Sequence, residues 1–171
     1  FAGLGTFVDS MAAIKKLVYD DKKYTLAELR KALNANWEGY EHIRRDCKHA
    51  PKYGNDDSYA DDIAVDIVDY TEKRMNQHRS LYAKHIHGTL SQSFNTPLGG
   101  MIGATPDGRE AFAPLSDAMS PTQGADTQGP TAVVKSVSRI NIESMSLGMA
   151  HNFKFSQSAL DTPESRNGII T

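Results

Sequence analysis

The chain has very little cysteine, with Cys47 as its one thiol among 171 residues. A single cysteine excludes a scaffold held by internal disulfides and is typical of a reducing compartment, so we expect a cytoplasmic protein. No apolar run approaches the roughly 20 residues that a membrane span needs, and no signal-peptide pattern is present. The net charge of −2 gives no electrostatic reason to expect nucleic acid or an anionic membrane as a partner.

Motifs for bound cofactors are missing as well. Neither Gly-x-x-x-x-Gly-Lys-Ser/Thr nor Gly-x-Gly-x-x-Gly occurs, so we predict no nucleotide site. The acidic residues between Asp56 and Asp66 lack the alternating spacing of a calcium loop. His78, His85 and His87 have no second cluster of histidine or cysteine to complete a zinc site. The sequence therefore predicts no metal site and no cofactor bound by this segment.

Residues 1–79 carry the signals of three helices. A first helix is predicted to start at Asp9 and Ser10, which can cap free backbone N–H groups. A second starts at Thr25 with a capping box, in which threonine bonds forward and Glu28 reaches back. Gly39 predicts a bend or break in its middle.

The second helix is predicted to end at Pro51, and Cys47 lies on its apolar stripe with no base nearby, which favours a buried structural thiol over a nucleophile. Asn55 or Asp56 is the predicted cap of the third helix. The third helix is predicted to pack through an apolar face, which consists of Tyr59, Ile63, Ile67 and Tyr70.

Residues 87–134 are rich in glycine and proline and poor in charge until Asp107. The sequence Thr-Pro-Asp-Gly at 105–108 predicts a tight turn, because proline fixes φ and glycine permits unusual φ values. Long stretches of this kind inside compact domains are usually functional or packed against a scaffold.

Residues 90–97 within that stretch are predicted to form a strand. Four polar residues alternate with apolar ones there, and they are Ser91, Ser93, Asn95 and Thr96. They would form either a polar face bonded to neighbouring loops or a substrate-contacting face, and the pattern alone leaves both open.

The β-branched run at 131–137 is the strongest strand prediction, and residues 149–155 alternate weakly. Helices first and strands second indicate a mixed α/β chain.

Seven phrases stand in a specific order along nearly the whole chain. They are residues 9–16 (DSMAAIKK), 36–41 (NWEGYE), 50–57 (APKYGNDD), 103–109 (GATPDGR), 114–117 (PLSD), 120–126 (SPTQGAD) and 129–134 (GPTAVV). Together they resemble the glycyl radical enzymes, the pyruvate formate-lyase-like superfamily. The resemblance implies an α/β fold, in which residues 1–171 form a C-terminal-side portion of a ten-stranded α/β barrel, cut at both ends.

Two loops of that family are missing from the sequence. The family's thiyl cysteine lies in a Gly-Cys-x-Glu loop, expected upstream of residue 1, and Cys47 does not match it. Its radical glycine lies in an Arg-Val-x-Gly-Tyr-Ser segment, expected after residue 171. The resemblance therefore implies a partial pyruvate formate-lyase-like domain with no catalytic residue of its own, inactive by itself.

Within the family, four runs are most similar to trans-4-hydroxy-L-proline dehydratase. They are residues 39–47 (GYEHIRRDC), 87–91 (HGTLS), 95–97 (NTP) and 148–154 (GMAHNFK). This implies radical elimination of water from trans-4-hydroxy-L-proline by the parent enzyme. The alternatives are choline or diol elimination, arylacetate decarboxylation, C–S cleavage of sulfonates and formate acetyl transfer. A stand-alone, catalytically inert binding module is the alternative from a different class.

The resemblance also implies partners. An activating enzyme that uses S-adenosylmethionine and an iron–sulfur cluster would install the glycyl radical, and the full-length protein would form a homodimer. The radical passes to the cysteine, whose thiyl abstracts hydrogen from a small-molecule substrate. Protein groups orient that substrate and help its hydroxide leave. A narrow wall of small and hydroxyl residues suits this task, so Ser93, Asn95 and Thr96 are the predicted substrate-binding residues.

Overall fold

The computed structural model describes residues 2–79, 81–83, 88, 94–145, 148–153 and 161–163. Six α-helices lie wholly within these ranges: α1 Leu4–Ile14, α2 Leu26–Asn34, α3 Glu41–His49, α4 Ser58–Asn76, α5 Asn95–Gly99 and α6 Pro130–Ser138. A π-helical turn, Lys15–Asp20, extends α1, and a short 3-10 helix, Ile142–Ser144, follows α6. A β-type pairing whose two partners are both described is the isolated bridge between Thr105 and Arg109. The predicted helices are thus present, while a barrel sheet is not seen in this part of the chain.

Helix α1 begins earlier than predicted. Its first residue is Leu4, after Gly3 in the left-handed region at φ 77°, so Asp9 and Ser10 lie inside the helix and do not cap it. Ser10 Oγ instead donates to the Thr6 carbonyl oxygen at 2.7 Å. The prediction was wrong because Asp9 and Ser10 carry capping side chains but are used in other contacts.

The first core cluster joins α1 to α4 and to α6. Leu4, Val8 and Ala12 on α1 are buried, as are residues on the facing side of α4. Alanines at 60 and 64 let the two helix backbones approach closely, which buries the larger side chains between them. In α4 the buried face is Ala60, Asp61, Ala64 and Val68.

This buried face of α4 differs from the predicted one. Tyr59, Ile63 and Ile67 pack only partly against the core, and Tyr70 is 60% exposed. The predicted cap is also displaced by one residue, because the Asp57 side chain accepts from the Tyr59 N–H at 2.9 Å. The predicted face is therefore confirmed only in part: its larger apolar residues flank the most buried positions, because small residues are needed where α4 meets α1.

Helices α2 and α3 form a second cluster. The capping box of α2 is confirmed, with Glu28 N donating to Thr25 Oγ1 at 3.2 Å and Thr25 N donating to Glu28 Oε2 at 2.8 Å. The predicted break is also confirmed, since α2 ends at Asn34 and Gly39 takes φ 77° before α3 begins at Glu41. The buried side chains of this cluster are Leu17, Leu29, Ala32, Trp37, Ile43 and Cys47.

Residues 131–137 form α6 and not the predicted strand. Pro130 occupies the first turn after Gly129. A backbone N–H in the first turn has no partner within the helix, so proline loses no hydrogen bond there, and its fixed φ suits a helix. Val133 and Val137, four residues apart, are both buried against the first core cluster. Placing a β-branched residue in a helix costs only a few tenths of a kcal/mol in propensity. Burial of a valine side chain contributes roughly 2 kcal/mol, which outweighs that cost.

Only part of each of the other two predicted strands lies within the described residues. Asn95 and Thr96 lie in helix α5, so the strand predicted over 90–97 is wrong at its end, and residues 90–93 lie outside the described residues. Residues 149–153, the described part of the run 149–155, take no strand structure.

The N-terminal half of α1 is held to the segment around Ser116. Thr6 N donates to Ser116 Oγ at 3.0 Å, and Ser116 N donates to Thr6 Oγ1 at 2.9 Å, so the two residues bond each other reciprocally. A Cβ on Gly5 would lie 2.9 Å from the Thr122 backbone nitrogen, so the following loop packs directly on the helix. This packing places α1 beside the loop 120–129.

In the described part of the chain, no helix combines the length and apolar composition needed to cross a bilayer.

Candidate functional site

A cavity of about 420 Å³ lies where four parts of the chain meet. Its walls come from α1, from α3 with the loop that follows it, from the segment 107–115 and from the loop at 122–125. The polar side chains that reach its walls from these parts include Asp9, Lys52, Asp107 and Thr122. The volume is within the range of small-molecule sites.

Asp9 is the most buried charged group of the cavity. Its side chain is 0% exposed, and its Oδ1 accepts from the Tyr53 backbone N–H at 2.8 Å, which ties the loop after α3 to α1. Its Oδ2 is buried like the nearby Thr122 hydroxyl, which favours the ionised form of Asp9. Burial raises the pKa of Asp9 to about 6, against the opposing effects of the Lys52 charge and the Tyr53 hydrogen bond. The carboxylate is therefore ionised at neutral pH but held in an unfavourable environment.

Lys52 lies behind the end of α3. Its Nζ donates to the carbonyl oxygens of Cys47, at 2.8 Å, and Asp107, at 3.2 Å. Burial lowers the pKa of Lys52, and the charges of Asp9 and Asp107 act in the opposite direction. An ammonium group at this position also complements the negative end of the α3 dipole. Lys52 thus joins α3 to the turn and offsets the buried acids.

The turn at 105–108 is confirmed and is built by its own side chains. Gly108 N donates to the Thr105 carbonyl at 3.0 Å, and Thr105 Oγ1 donates to Asp107 Oδ1 at 2.6 Å. Arg109 is buried and donates through Nε to Thr105 Oγ1 at 3.0 Å. Its guanidinium also donates to the carbonyl oxygens of Gly103 and Ala113. Arg109 therefore closes its own loop.

The same turn docks on the helical part of the chain. Trp37 Nε1 donates to the Arg109 carbonyl at 2.9 Å, and Arg44 Nε donates to the Gly108 carbonyl at 3.0 Å. Arg44 also pairs with Glu110 at 2.5 Å. Gly108 takes φ 95°, and a Cβ there would lie 2.5 Å from Lys48 Cγ, so the stem of Lys48 crosses the turn. These contacts fix one wall of the cavity.

Of the three predicted substrate-binding residues, the two described ones, Asn95 and Thr96, do not line this cavity. Ser93 lies outside the described residues, and Thr96 is exposed on α5. Asn95 Nδ2 donates to the Leu115 carbonyl at 3.1 Å, and Leu115 N donates back to the Asn95 carbonyl at 3.1 Å. These two bonds hold α5 to Leu115, and Leu115 lines the cavity.

The residues of the cavity were present in the sequence phrases that carry the family resemblance, but their joint role was missed. Asp9 was interpreted as a cap and Asp107 as a turn residue. Their partners lie far away in sequence, since Tyr53 is 44 residues from Asp9 and Lys52 is 55 residues from Asp107. The sequence signal that could have indicated their proximity was that each of these polar residues lies in one of the seven family phrases.

Three other sets of residues weighed in the sequence are Cys47, the acids at the start of α4 and the histidines at 78, 85 and 87. Cys47 is fully buried, as predicted, and burial raises its pKa to about 12, so the thiol stays protonated at neutral pH. The acids at the start of α4 have structural contacts, because Asp57 caps the helix and Asp61 Oδ2 accepts from Ser136 Oγ at 2.8 Å. His78 is exposed, while His85 and His87 lie outside the described residues.

Two family descriptions match successive parts of the chain. "Pyruvate formate lyase-like" matches residues 1–99, and "Glycine radical" matches residues 115–171. The chain belongs to the pyruvate formate lyase-like family of glycyl radical enzymes. The resemblance drawn from the sequence phrases is thereby confirmed.

Curated relatives and solved structures agree with this family. The chain is 39% identical over 178 residues to isethionate sulfite-lyase of Nitratidesulfovibrio vulgaris, covering 100% of the chain and 21% of that protein. It is 40% identical over 141 residues to trans-4-hydroxy-L-proline dehydratase of Clostridioides difficile, covering 81% of the chain and 18% of that protein. The chain thus spans about a fifth of the length of the curated relatives it matches.

A solved structure of the Clostridioides difficile hydroxyproline dehydratase, with trans-4-hydroxy-L-proline bound, matches with a TM-score of 0.91 and 35% identity. The match covers 98% of this chain and 21% of that one. The B12-independent glycerol dehydratase of Clostridium butyricum matches with a TM-score of 0.90 and 36% identity, over 98% of this chain and 21% of that one. The folded segment is therefore the same structural unit as in glycyl radical enzymes.

Proposed function

We propose that this chain is part of a glycyl radical lyase, a longer enzyme that eliminates a leaving group from a small polar substrate. The observation that carries the proposal is the pair of successive family matches, at 1–99 and 115–171, in a chain that covers about a fifth of its relatives. In this proposal residues 1–171 are a partial pyruvate formate-lyase-like barrel domain. The cysteine loop and the glycine loop belong to other parts of the same polypeptide.

The radical would come from outside this segment. An activating enzyme using S-adenosylmethionine and an iron–sulfur cluster would place it on a glycine, and the enzyme would act as a cytoplasmic homodimer. The residues of this chain would orient the substrate and exclude water. Ser93, Asn95 and Thr96 are the residues that we assign to substrate contact, since hydroxyl and amide groups can hold a polar substrate without introducing charge. The Asn95 amide oxygen is the part of that side chain available for such contact, because Nδ2 donates to Leu115.

For the substrate we propose trans-4-hydroxy-L-proline, from which the enzyme would eliminate water. The 40% identity to a trans-4-hydroxy-L-proline dehydratase supports this choice. So does the 0.91 TM-score to a structure with that substrate bound.

Isethionate is a second candidate. It is favoured by 39% identity to an isethionate sulfite-lyase over the whole chain and by 46% identity over 143 residues to the Bilophila wadsworthia protein of the same name. Here the leaving group would be sulfite.

One experiment tests the proposal and separates the two candidates. The complete coding sequence is expressed with its activating enzyme without oxygen, and the glycyl radical is measured by electron paramagnetic resonance. The activated protein then receives trans-4-hydroxy-L-proline or isethionate, and products are measured by mass spectrometry with a control lacking S-adenosylmethionine.

The proposal expects a radical and turnover of the hydroxyproline. Release of sulfite alone would move the assignment to isethionate. A full-length protein that forms no radical under conditions that activate the Clostridioides difficile enzyme would contradict the lyase proposal. That result would favour an inert binding module.

A further inference from the structure

The turn between α2 and α3 has a strained backbone at two successive residues. The φ angle is 48° at Asn36 and 71° at Trp37, in the left-handed region that bulky side chains rarely adopt. Strain of this kind persists only where surrounding contacts fix the backbone, and it is concentrated at functional sites. The Trp37 side chain is buried, and its backbone N–H donates to the Ala32 carbonyl at 2.8 Å. The contacts of these two side chains therefore indicate what the turn holds in place.

Both side chains bond the main chain of one short stretch, residues 109–111. Trp37 Nε1 donates to the Arg109 carbonyl at 2.9 Å, and the Ala111 N–H donates to Asn36 Oδ1 at 2.7 Å. These partners lie 72 and 75 residues from the turn in sequence. Because one bond goes to a carbonyl and the other to an N–H two residues later, the two side chains fix both the position and the orientation of the stretch.

The same segment continues into the residues that hold α5. A Cβ on Gly99 would overlap the Ala113 carbonyl oxygen, which is a backbone atom, so the end of α5 lies directly on the segment. At the start of α5, Asn95 and Leu115 exchange two hydrogen bonds. Segment 109–115 therefore connects the strained turn to both ends of α5.

We propose that Asn36 and Trp37 are positioning residues for the substrate site. Through segment 109–115 they set where α5 presents Asn95 and Thr96. The proposal rests on the proposed function, which assigns these two residues of α5 to substrate contact, and the strained pair itself does not touch the substrate. A displaced contact residue loses binding energy that the substrate and the transition state share, so KM should rise while kcat changes little.

Two substitutions of Asn36 test the proposal at an exposed position. Asn36→Gly removes the side-chain acceptor, and glycine adopts φ 48° without strain. Asn36→Asp keeps an oxygen that can accept from the Ala111 N–H, and aspartate also tolerates this φ. In the activated full-length enzyme, Asn36→Gly should raise KM about fivefold or more, with kcat changed less than about twofold, and Asn36→Asp should restore KM. KM is measured with whichever of trans-4-hydroxy-L-proline and isethionate the wild type converts.

Trp37→Phe tests the other bond of the pair. It keeps a buried aromatic ring and removes the indole N–H, so KM should rise in the same way. Tyr24→Phe is the matched control, because Tyr24 packs against the same second core cluster and donates its hydroxyl to Asp46 Oδ2 at 2.5 Å within the helical part of the chain. It should leave KM unchanged. The glycyl radical signal should be normal in all variants.

Amide hydrogen exchange, measured by mass spectrometry before activation, tests the link to α5 without any substrate. Exchange of residues 95–99 should accelerate in Asn36→Gly and Trp37→Phe, and it should match the wild type in Asn36→Asp and Tyr24→Phe. An unchanged rate in both Asn36→Gly and Trp37→Phe would overturn the proposal, because the strained pair would then not hold α5.

The kinetic measurement can overturn the proposal independently. Faster exchange of α5 with a wild-type KM would show that the pair supports the fold and does not position the substrate site. A raised KM that Asn36→Asp fails to restore would show that the bond to Ala111 is not the cause. Failure of the proposed function is a different result, since the wild type itself would then form no radical and convert neither substrate.

Discussion

Ser136 Oγ donates to Asp61 Oδ2 at 2.8 Å across the interface of α6 and α4, although 75 residues separate the two in sequence. The same hydroxyl oxygen accepts from the Asp56 backbone N–H at 2.9 Å. Both Asp61 and Ser136 are fully buried. One serine therefore bonds one oxygen of a buried carboxylate and a backbone donor of the loop before α4.

Replacing Ser136 by alanine should loosen this interface. The change leaves the Asp61 carboxylate and the Asp56 N–H without this partner, which should cost about 1–3 kcal/mol of local stability. Amide hydrogen exchange of α6, measured by mass spectrometry in the full-length protein, should accelerate. Ser138→Ala is the matched control, because Ser138 is exposed and bonds only within its own helix. Equal exchange in the two variants would contradict the assigned role of Ser136.

Asp9 should give the protein a stability contribution that depends on pH. Its pKa is about 6 in the folded protein and near 3.8 in the unfolded chain, so the folded state binds the proton more tightly. Asp9 therefore destabilises the fold fully above pH 6, and this penalty is relieved as pH falls through 6 towards 4. From pH 7.5 to pH 5 the gain is about 1 kcal/mol.

The comparison with Asp9→Asn isolates this contribution from other titrating groups. The amide oxygen can still accept from Tyr53 N, but the side chain no longer titrates. Thermal unfolding at pH 7.5 and pH 5 should show the wild type gaining stability relative to the variant as the pH is lowered. A constant difference between the two proteins across this range would show that Asp9 is not held in the buried environment described.

Cys47→Ala should leave turnover nearly intact. The thiol is fully buried, its pKa is raised to about 12, and it packs in the second core cluster, so it supplies volume and no nucleophile. A small core truncation should cost on the order of 1 kcal/mol in stability. Turnover and radical yield of the activated full-length variant check this. Loss of turnover in a folded protein with a normal radical signal would identify Cys47 as catalytic.

Thr96→Val and Ser93→Ala should each lower catalytic efficiency about tenfold or more, as expected for the loss of one hydrogen bond to a polar substrate. Asn95→Leu should do the same and also loosen α5, because Asn95 Nδ2 holds Leu115. The radical yield should remain normal in all three. Thr71→Val is a control, since the Thr71 hydroxyl bonds the Ile67 carbonyl within α4. Wild-type efficiency in all three variants would remove this stretch from the site.

Features determined by neighbouring residues were predictable from the sequence. The capping box at Thr25 and Glu28, the break near Gly39 and the turn at 105–108 each depend on residues within a few positions of one another. The family phrases added what local rules could not, because they identify an entire structural unit. The burial of Cys47 followed from its place on an apolar stripe.

Features determined by distant contacts were mispredicted. Residues 131–137 have strand-forming composition, but Val133 and Val137 meet α1 and α4 only when spaced along a helix. Asp9 has the chemistry of a cap, but its carboxylate accepts from Tyr53 N, 44 residues away. In both cases tertiary packing outweighs a local preference of less than about 1 kcal/mol.

The reciprocal bonds between Thr6 and Ser116 set a minimum time for the fold to form during synthesis. The two residues are 110 positions apart, and ribosomes add about 5–20 residues per second, so roughly 5–20 s pass between their syntheses. During that interval the Thr6 backbone N–H and the apolar side of α1 lack their partners from this region. The side of α1 that carries Thr6 therefore stays uncovered until the segment around residue 116 has left the ribosome, although α4 is made earlier.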